Sequence, residues 1–461
     1  MDELELDSIA QDAEEISHYQ SVRYKAVKLL SRYERSDAYI DKLLDYEMRE
    51  TTLNSLDKSL LTEIVNGTIR WRAKIDWVLN GFYRGDYQKC LNIVKNALRV
   101  GLYQILFLNK IPIHAAVDES VEIVKRIQGE KTAGIVNGVL RNISRNIPNI
   151  RYPEREEDLV YYFSVIYSHP KWMIKRWLER FGESATENLL YANNKRPLIP
   201  IRVNLLKTSV EAVIDYLKEN NIIFLPSSYL ANGIHLKLHN LDITSMEIFK
   251  KGFISIQDTS ASLAAMLCAP QPGSTVIDLC AAPGGKSFLL AESMNDSGKI
   301  IAIDKYKSKL NFIEEGAARL GHHIIHTLAE DARVFEYKEG AECVLVDAPC
   351  TGLGTLAKKP DIKWKREIED VINCSILQKE ILDNAAKLVI PGGTLVYSTC
   401  SMEPEENTDI VNWFLESHPE FSLEPAEKYL PAEVCKDGFM QTFPHLHEID
   451  GAYAARMIKS K

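Results

Sequence analysis

Two cysteines hold the most reactive side chains in this sequence, Cys350 in Asp347-Ala348-Pro349-Cys350 and Cys400 in Ser398-Thr399-Cys400-Ser401. A thiolate is strongly nucleophilic and also leaves readily, so two thiols at one place suit covalent catalysis or a redox couple. Each follows an apolar run, Cys343-Val344-Leu345-Val346 before the first and Gly393-Thr394-Leu395-Val396-Tyr397 before the second. Such runs read as buried strands of a mostly parallel sheet. Both thiols then stand at carboxyl ends of strands, where open α/β sheets gather ligands. Cys90, Cys268, Cys343, Cys374 and Cys435 read as inert packing residues, and Cys280 as one that offers backbone rather than thiol. With no Cys-x-x-Cys pair, no zinc ribbon is expected, and His322, His323 and His326 read as solvated surface rather than ligands.

Upstream, Val276-Ile277-Asp278-Leu279-Cys280-Ala281-Ala282-Pro283-Gly284-Gly285-Lys286-Ser287 reads as a strand, a tight turn and a helix. Gly284 and Gly285 let backbone approach a ligand, and the new helix presents unpaired N–H groups. Cys280, Ala281, Ala282, Pro283, Gly284, Gly285 and Lys286 are therefore candidate cofactor residues. Asp304 ends the next strand, 19 residues past Gly285, a spacing that suits hydrogen bonds from ribose hydroxyls. Asp331 follows the third strand and is placed to meet an adenine amino group. A phosphate-binding P-loop fails on spacing, because Cys280 stands where its first glycine belongs and Pro283 lacks an N–H. S-adenosylmethionine carries no phosphate and fits the loop better than a nucleoside triphosphate.

The elements that position these residues alternate from about Gly252 onward. Thr275–Leu279, Ile300–Ile303, His323–Thr327, Cys343–Val346 and Thr394–Tyr397 are predicted strands. Lys286–Met294, Tyr306–Leu320 and Glu367–Val389 are predicted helices between them, which implies a doubly wound α/β domain over 252–461. Residues 150–251 read as a small α+β module, with a helix around Lys171–Arg180, strands at Pro200–Asn204 and Gly233–Leu238, and a helix at Ser209–Asn220. Residues 21–149 read as an all-helical bundle, with Val22, Ala26, Leu29 and Leu30 at helical spacing. Within it Thr68-Ile69-Arg70-Trp71-Arg72 interleaves basic and aromatic residues, equally an amphipathic helix with a solvated edge or an RNA face. Residues 1–20 read as a disordered acidic tail.

The formal charge of −9 is unevenly spread. Residues 21–150 hold 21 Lys/Arg against 14 Asp/Glu, whereas 271–461 hold 20 against 30. That split fits a basic domain that holds a polyanion and an acidic domain that does the chemistry. No apolar stretch approaches the ~18 residues of a membrane helix, and the amino terminus lacks a secretory pattern. A reducing cytoplasm and a monomer are expected, with no membrane partner.

The carboxy-terminal half resembles the catalytic domain of RNA cytosine-5 methyltransferases. Cys280-Ala281-Ala282-Pro283-Gly284-Gly285-Lys286, Asp347-Ala348-Pro349-Cys350-Thr351-Gly352-Leu353-Gly354, and Ser398-Thr399-Cys400-Ser401 followed by Glu403-Pro404-Glu405-Glu406-Asn407 carry the match. The segment from about 21 to 149 is similar to a NusB-like RNA-binding domain, and the combination resembles the RsmB-type (Fmu/Sun) enzymes of 16S ribosomal RNA. The resemblance implies a Rossmann-like S-adenosylmethionine-dependent domain that methylates C5 of an unpaired or flipped cytosine. It implies Cys400 as the nucleophile that adds to C6, Cys350 as the thiol that assists release, and Asp347 as the carboxylate holding base and cofactor edge. It also implies that Lys358-Lys359-Pro360-Asp361-Ile362-Lys363-Trp364 approaches the RNA, with lysines on phosphates and Trp364 under a base. A DNA cytosine methyltransferase would use the Pro-Cys thiol instead and needs an Asn-Val partner to a glutamate, which is not found, so DNA is not the expected substrate.

Overall fold

The computed structural model describes residues 21–237 and 242–461, so the acidic tail expected over 1–20 lies outside the described residues. The chain forms two units. One holds residues up to Asn194 together with Lys359–Lys365, and the other holds Lys195–Lys358 and Arg366–Lys461.

Helices build the first unit, at Val22–Tyr33, Ile40–Glu50, Ser55–Arg70, Arg72–Phe82, Asn92–Phe107, Ile113–Gln128, Glu130–Asn146, Leu159–Ile166 and Lys171–Asn194. Ser21, Asn54 and Asp158 start three of them by accepting a first-turn N–H, the usual task of such residues. The apolar stripes meet in one core through Val27, Leu30, Leu61, Ile64, Leu98, Leu140 and their neighbours. Thr68–Arg72 turns mostly into the helical core rather than standing as a solvated basic edge. Arg70 is buried, Trp71 stacks on Phe107 at 4.8 Å, and Arg72 faces Glu34 and Asp76. Burial of the aromatic ring outweighs the solvation of the basic edge here.

The inserted segment Lys359–Lys365 also departs from expectation. Lys363 is fully buried, its Nζ donating to the carbonyls of Arg70 and Ser168 at 3.1 and 3.2 Å and to Asn194 Oδ1 at 2.9 Å. Trp364 packs on the helical core and donates its indole N–H to the Ile69 carbonyl at 2.8 Å. Neither residue is free for phosphate or base. Desolvation drives the Lys363 ammonium well below its ordinary range, with Arg70 adding repulsion.

The second unit contains two sheets. β1 (Ile199–Val203), β2 (Ile223–Pro226), β3 (Gly233–Lys237) and β4 (Ile254–Ile256) form an antiparallel sheet in the order β2-β3-β1-β4. The larger sheet runs β11-β12-β13-β9-β8-β5-β6-β7, with β10 against β13. Its strands are β5 (Thr275–Asp278), β6 (Lys299–Ile303), β7 (Ile325–Leu328), β8 (Ala341–Asp347), β9 (Val389–Thr399), β10 (Phe421–Glu424), β11 (Cys435–Lys436), β12 (Phe439–Thr442) and β13 (Ala452–Lys459). β5 to β9 pair in parallel and β13 closes antiparallel on β9. Apolar residues cover both faces, as parallel strands require. The order reverses at β5, whose neighbours are β6 and β8, so the glycine turn leaves the sheet at its topological switch point.

Candidate active site

β5 ends in Asp278, and the chain turns through Cys280–Gly284 into the helix Gly285–Ser293. Gly284 makes that turn at φ +109°, where an added Cβ would strike the Phe288 ring. Ala281 N–H donates to the Ile303 carbonyl at 2.8 Å, tying the turn to the end of β6. Next to Gly285 lies the side-chain amide of Gln257, whose buried Nε2 has no hydrogen-bond partner among the described residues. A turn whose Gly284 and Gly285 lack side chains, beside an orphaned donor, fits a ligand with a carboxylate and a nucleoside, as S-adenosylmethionine has. Cys280 through Lys286 would line it.

Asp304 follows β6 and is buried, its Oδ1 accepting the Tyr306 N–H at 2.9 Å. Asp331 is partly buried, and its carboxylate holds Arg333 at 2.7 Å and Lys305 at 3.3 Å. Those hydrogen bonds, Arg333 foremost, keep the Asp331 carboxyl below its usual range. An adenine amino group there would share an oxygen with Arg333.

Asp278 is fully buried and accepts the Ser287 hydroxyl at 2.7 Å. Burial pushes its carboxyl up to about 7. The sequence hints at this only through an acid at the end of an apolar strand.

β8 and β9 bring the thiols together. Their register sets Asp347 beside Ser398, and the Ala348 N–H continues the pairing to the Ser398 carbonyl at 2.8 Å. Cys350 Sγ and Cys400 Sγ then lie 3.2 Å apart with no disulfide between them, Cys400 exposed and Cys350 partly buried. The contact with the Cys400 thiol, followed by burial, holds the Cys350 thiol well above its ordinary range. Asp347 accepts Lys286 Nζ at 2.6 Å and the Ser398 hydroxyl at 2.9 Å. Burial alone would lower the Lys286 ammonium, but the Asp347 carboxylate more than offsets it and keeps it charged.

Two further expectations need correction. Lys358 does not reach for phosphate, because Asp258 and Asp450 hold its Nζ, the latter at 2.9 Å. His322 is buried against Phe288 rather than solvated, 3.5 Å from Glu292, because the end of its helix turns it inward. Among the described residues no His/Cys/Asp/Glu cluster could hold a metal.

A doubly wound sheet with a glycine turn at its switch point and two thiols at neighbouring strand ends defines a Rossmann-like methyltransferase domain. The family model described as 16S rRNA methyltransferase RsmB/F matches residues 265–458, and that of the NusB family matches residues 20–145. A ferredoxin-like domain of the RsmF/B-like methyltransferases matches residues 169–243. A "Probable ribosomal RNA small subunit methyltransferase B" of Bacillus subtilis (strain 168) is 37% identical, covering 95% of this chain and 99% of that protein. A protein of the same description from Synechocystis is 32% identical, covering 95% and 100%. The solved methyltransferase homolog protein from Pyrococcus horikoshii is 28% identical with a TM-score of 0.58, over 66% of this chain and 99% of that one. The chain belongs to the ribosomal RNA small subunit methyltransferase B family and is an S-adenosylmethionine-dependent RNA cytosine-C5 methyltransferase.

Proposed function

We propose that this enzyme methylates C5 of a cytosine in 16S ribosomal RNA through a covalent bond between Cys400 and C6. The observation that carries this reading is the unequal thiol pair: Cys400 exposed, and Cys350 3.2 Å away, partly buried and held protonated. C5 of cytosine is a poor nucleophile. The Cys400 thiolate adds to C6, electron density moves to C5, and C5 takes the methyl group. Water takes the C5 proton as the C6–S bond breaks, and Cys400 leaves as a thiolate, which restores the ring. S-adenosylmethionine would supply the electrophilic methyl group, and the turn Cys280–Lys286 would hold it, with Asp304 serving its ribose and Asp331 its adenine.

Cys350 stays a thiol beside the departing sulfur, donating a hydrogen bond that eases release. Asp347, fixed by Lys286 and Ser398, faces the amino edge of the base and steadies charge developing on the ring. The substrate cytosine is unpaired or flipped, since C6 is unreachable within a stack. The helical unit, positively charged over residues 21–150, contributes affinity for the RNA backbone. The reading carries with it a cytoplasmic, monomeric enzyme that acts on RNA rather than on DNA or at a membrane.

Methyl transfer to 16S RNA by Cys400→Ala and Cys350→Ala tests the assignment. Cys400→Ala is expected to lose activity by at least ~10³-fold and to form no adduct, while Cys350→Ala accumulates a covalent protein–RNA complex. The reversed pattern sinks the assignment and favours the DNA-type mechanism. Binding of the RNA without any methyl transfer by the wild type would instead mark a binding factor.

A further inference from the structure

Glu406 has no part in the chemistry above, yet its carboxylate is fully buried between the two thiol-bearing loops. Its Oε1 accepts the Thr351 N–H at 2.8 Å and Gln378 Nε2 at 3.2 Å. Its Oε2 accepts the hydroxyls of Thr351 and Ser401. Thr351 follows Cys350 and Ser401 follows Cys400, so one carboxylate grips the residue after each thiol. Gln378 extends the grip to the residue before Cys350, donating to the Pro349 carbonyl at 2.9 Å. Asn407 does the same around Cys400, accepting the Thr399 hydroxyl at 2.6 Å and donating to the Ser401 carbonyl at 3.0 Å. The Tyr397 hydroxyl pins the Glu406 carbonyl at 2.6 Å.

Burying a carboxylate is costly unless donors surround it, and apolar packing closes two loops at lower cost. What a carboxylate adds is direction: two acceptor atoms serving four donors fix both loops at once. Burial still pushes the Glu406 carboxyl up, opposed by its bonds to Ser401 and Thr351.

We propose that Glu406 is a positioning residue that sets the separation of the Cys350 and Cys400 thiols, and so couples attack on the base to release. The catalytic half of this proposal rests on the thiol roles proposed above; the spacing half does not. Loss of one acceptor oxygen strands either the Thr351 N–H with the Gln378 amide or the hydroxyls of Thr351 and Ser401, and lets the loops part. Displacing a reacting group by ~1 Å costs on the order of 10²-fold in rate.

Glu406→Gln in the full-length protein keeps the shape of the side chain and removes one acceptor. Diamide, which takes up the two thiol hydrogens, measures thiol proximity without RNA through the rate of Cys350–Cys400 disulfide formation, read by peptide mass. Cross-linking is expected to slow about tenfold and kcat to fall by a similar factor, with KM for RNA and affinity for S-adenosylmethionine held within about twofold. Should Glu406→Gln fail to fold, Ser401→Ala removes a single donor and is expected to slow cross-linking about threefold. Unchanged cross-linking in both variants overturns the proposal, as does a slowing that is matched by lost cofactor affinity. Slowed cross-linking with wild-type kcat overturns the coupling of attack and release and counts against the thiol roles, leaving the spacing role intact.

Discussion

Around the glycine turn, burial decides protonation. Asp278 sits at the end of a strand covered on both faces, and its carboxyl rises from 3.8 to about 7 because desolvation opposes the charge. Asp347 adds repulsion, while Ser287 and Lys286 act the other way. Between these two values the folded protein holds a proton that the unfolded chain has released. Stability from this group is therefore complete below pH ~4 and falls as pH rises toward ~7. Asp278→Asn keeps the bond from Ser287 and removes the titration. Relative to wild type, the variant is expected to gain about 2–3 kcal/mol in unfolding free energy between pH 5 and pH 7. Denaturant titrations across that range measure it, and a pH-independent difference would show that Asp278 is charged throughout.

The element that unites the thiols is the parallel pair β8 and β9. Cys350 lies three residues past Asp347 and Cys400 two past Ser398, so their meeting requires the in-register pair Asp347↔Ser398. Beyond the strands the loops are held by backbone. Gly354 N–H donates to the Cys400 carbonyl at 3.0 Å, and Gly451 N–H donates to the Gly354 carbonyl at 2.8 Å. A Cβ on Gly354 would lie 1.9 Å from the Gly451 carbonyl oxygen, which is backbone and cannot swing aside. Gly354→Ala is expected to cost about 2–3 kcal/mol of stability and to lower kcat, because the strain falls on the Cys400 loop. Gly138, inside the helix Glu130–Asn146, has nothing within 4 Å of an added Cβ. Gly138→Ala is expected to stabilise the protein by about 0.5–1 kcal/mol. Thermal unfolding of the two variants checks both signs.

At the scale of the whole molecule, the segment Lys359–Lys365 belongs to the helical unit although the chain on both sides of it belongs to the other. Asp361 accepts the Ile40 N–H at 2.9 Å where a helix begins, and Ile362, Lys363 and Trp364 are buried or packed among the helices. A fragment of residues 195–461 leaves those groups without partners. Trypsin is expected to cut it at Lys363 or Lys365 within minutes, while the intact chain resists there, as peptide mapping would show. Equal resistance would mean that the segment is ordered by its own unit alone.

Much of this protein was legible in its residues. Periodicity located β5, β6, β8 and β9 to within a few residues, and the glycine turn with its downstream acids marked a nucleoside-bearing cofactor. Those signals are local, set by which side chains a pleated strand or a tight turn accepts. The destination of Lys363, Trp364 and Arg70 was not legible, because a basic-aromatic run has the same local pattern on an RNA face and in a carbonyl-lined core. Nor could Glu406 be seen as a clamp, since its four donors come from residues up to 55 positions away. The sequence by itself determined the elements and the reactive groups they carry. Only the tertiary structure decided which charges are solvated, which are spent on holding the chain, and how far apart the two thiols stand, because desolvation and long-range hydrogen bonds exist only once the chain has closed on itself.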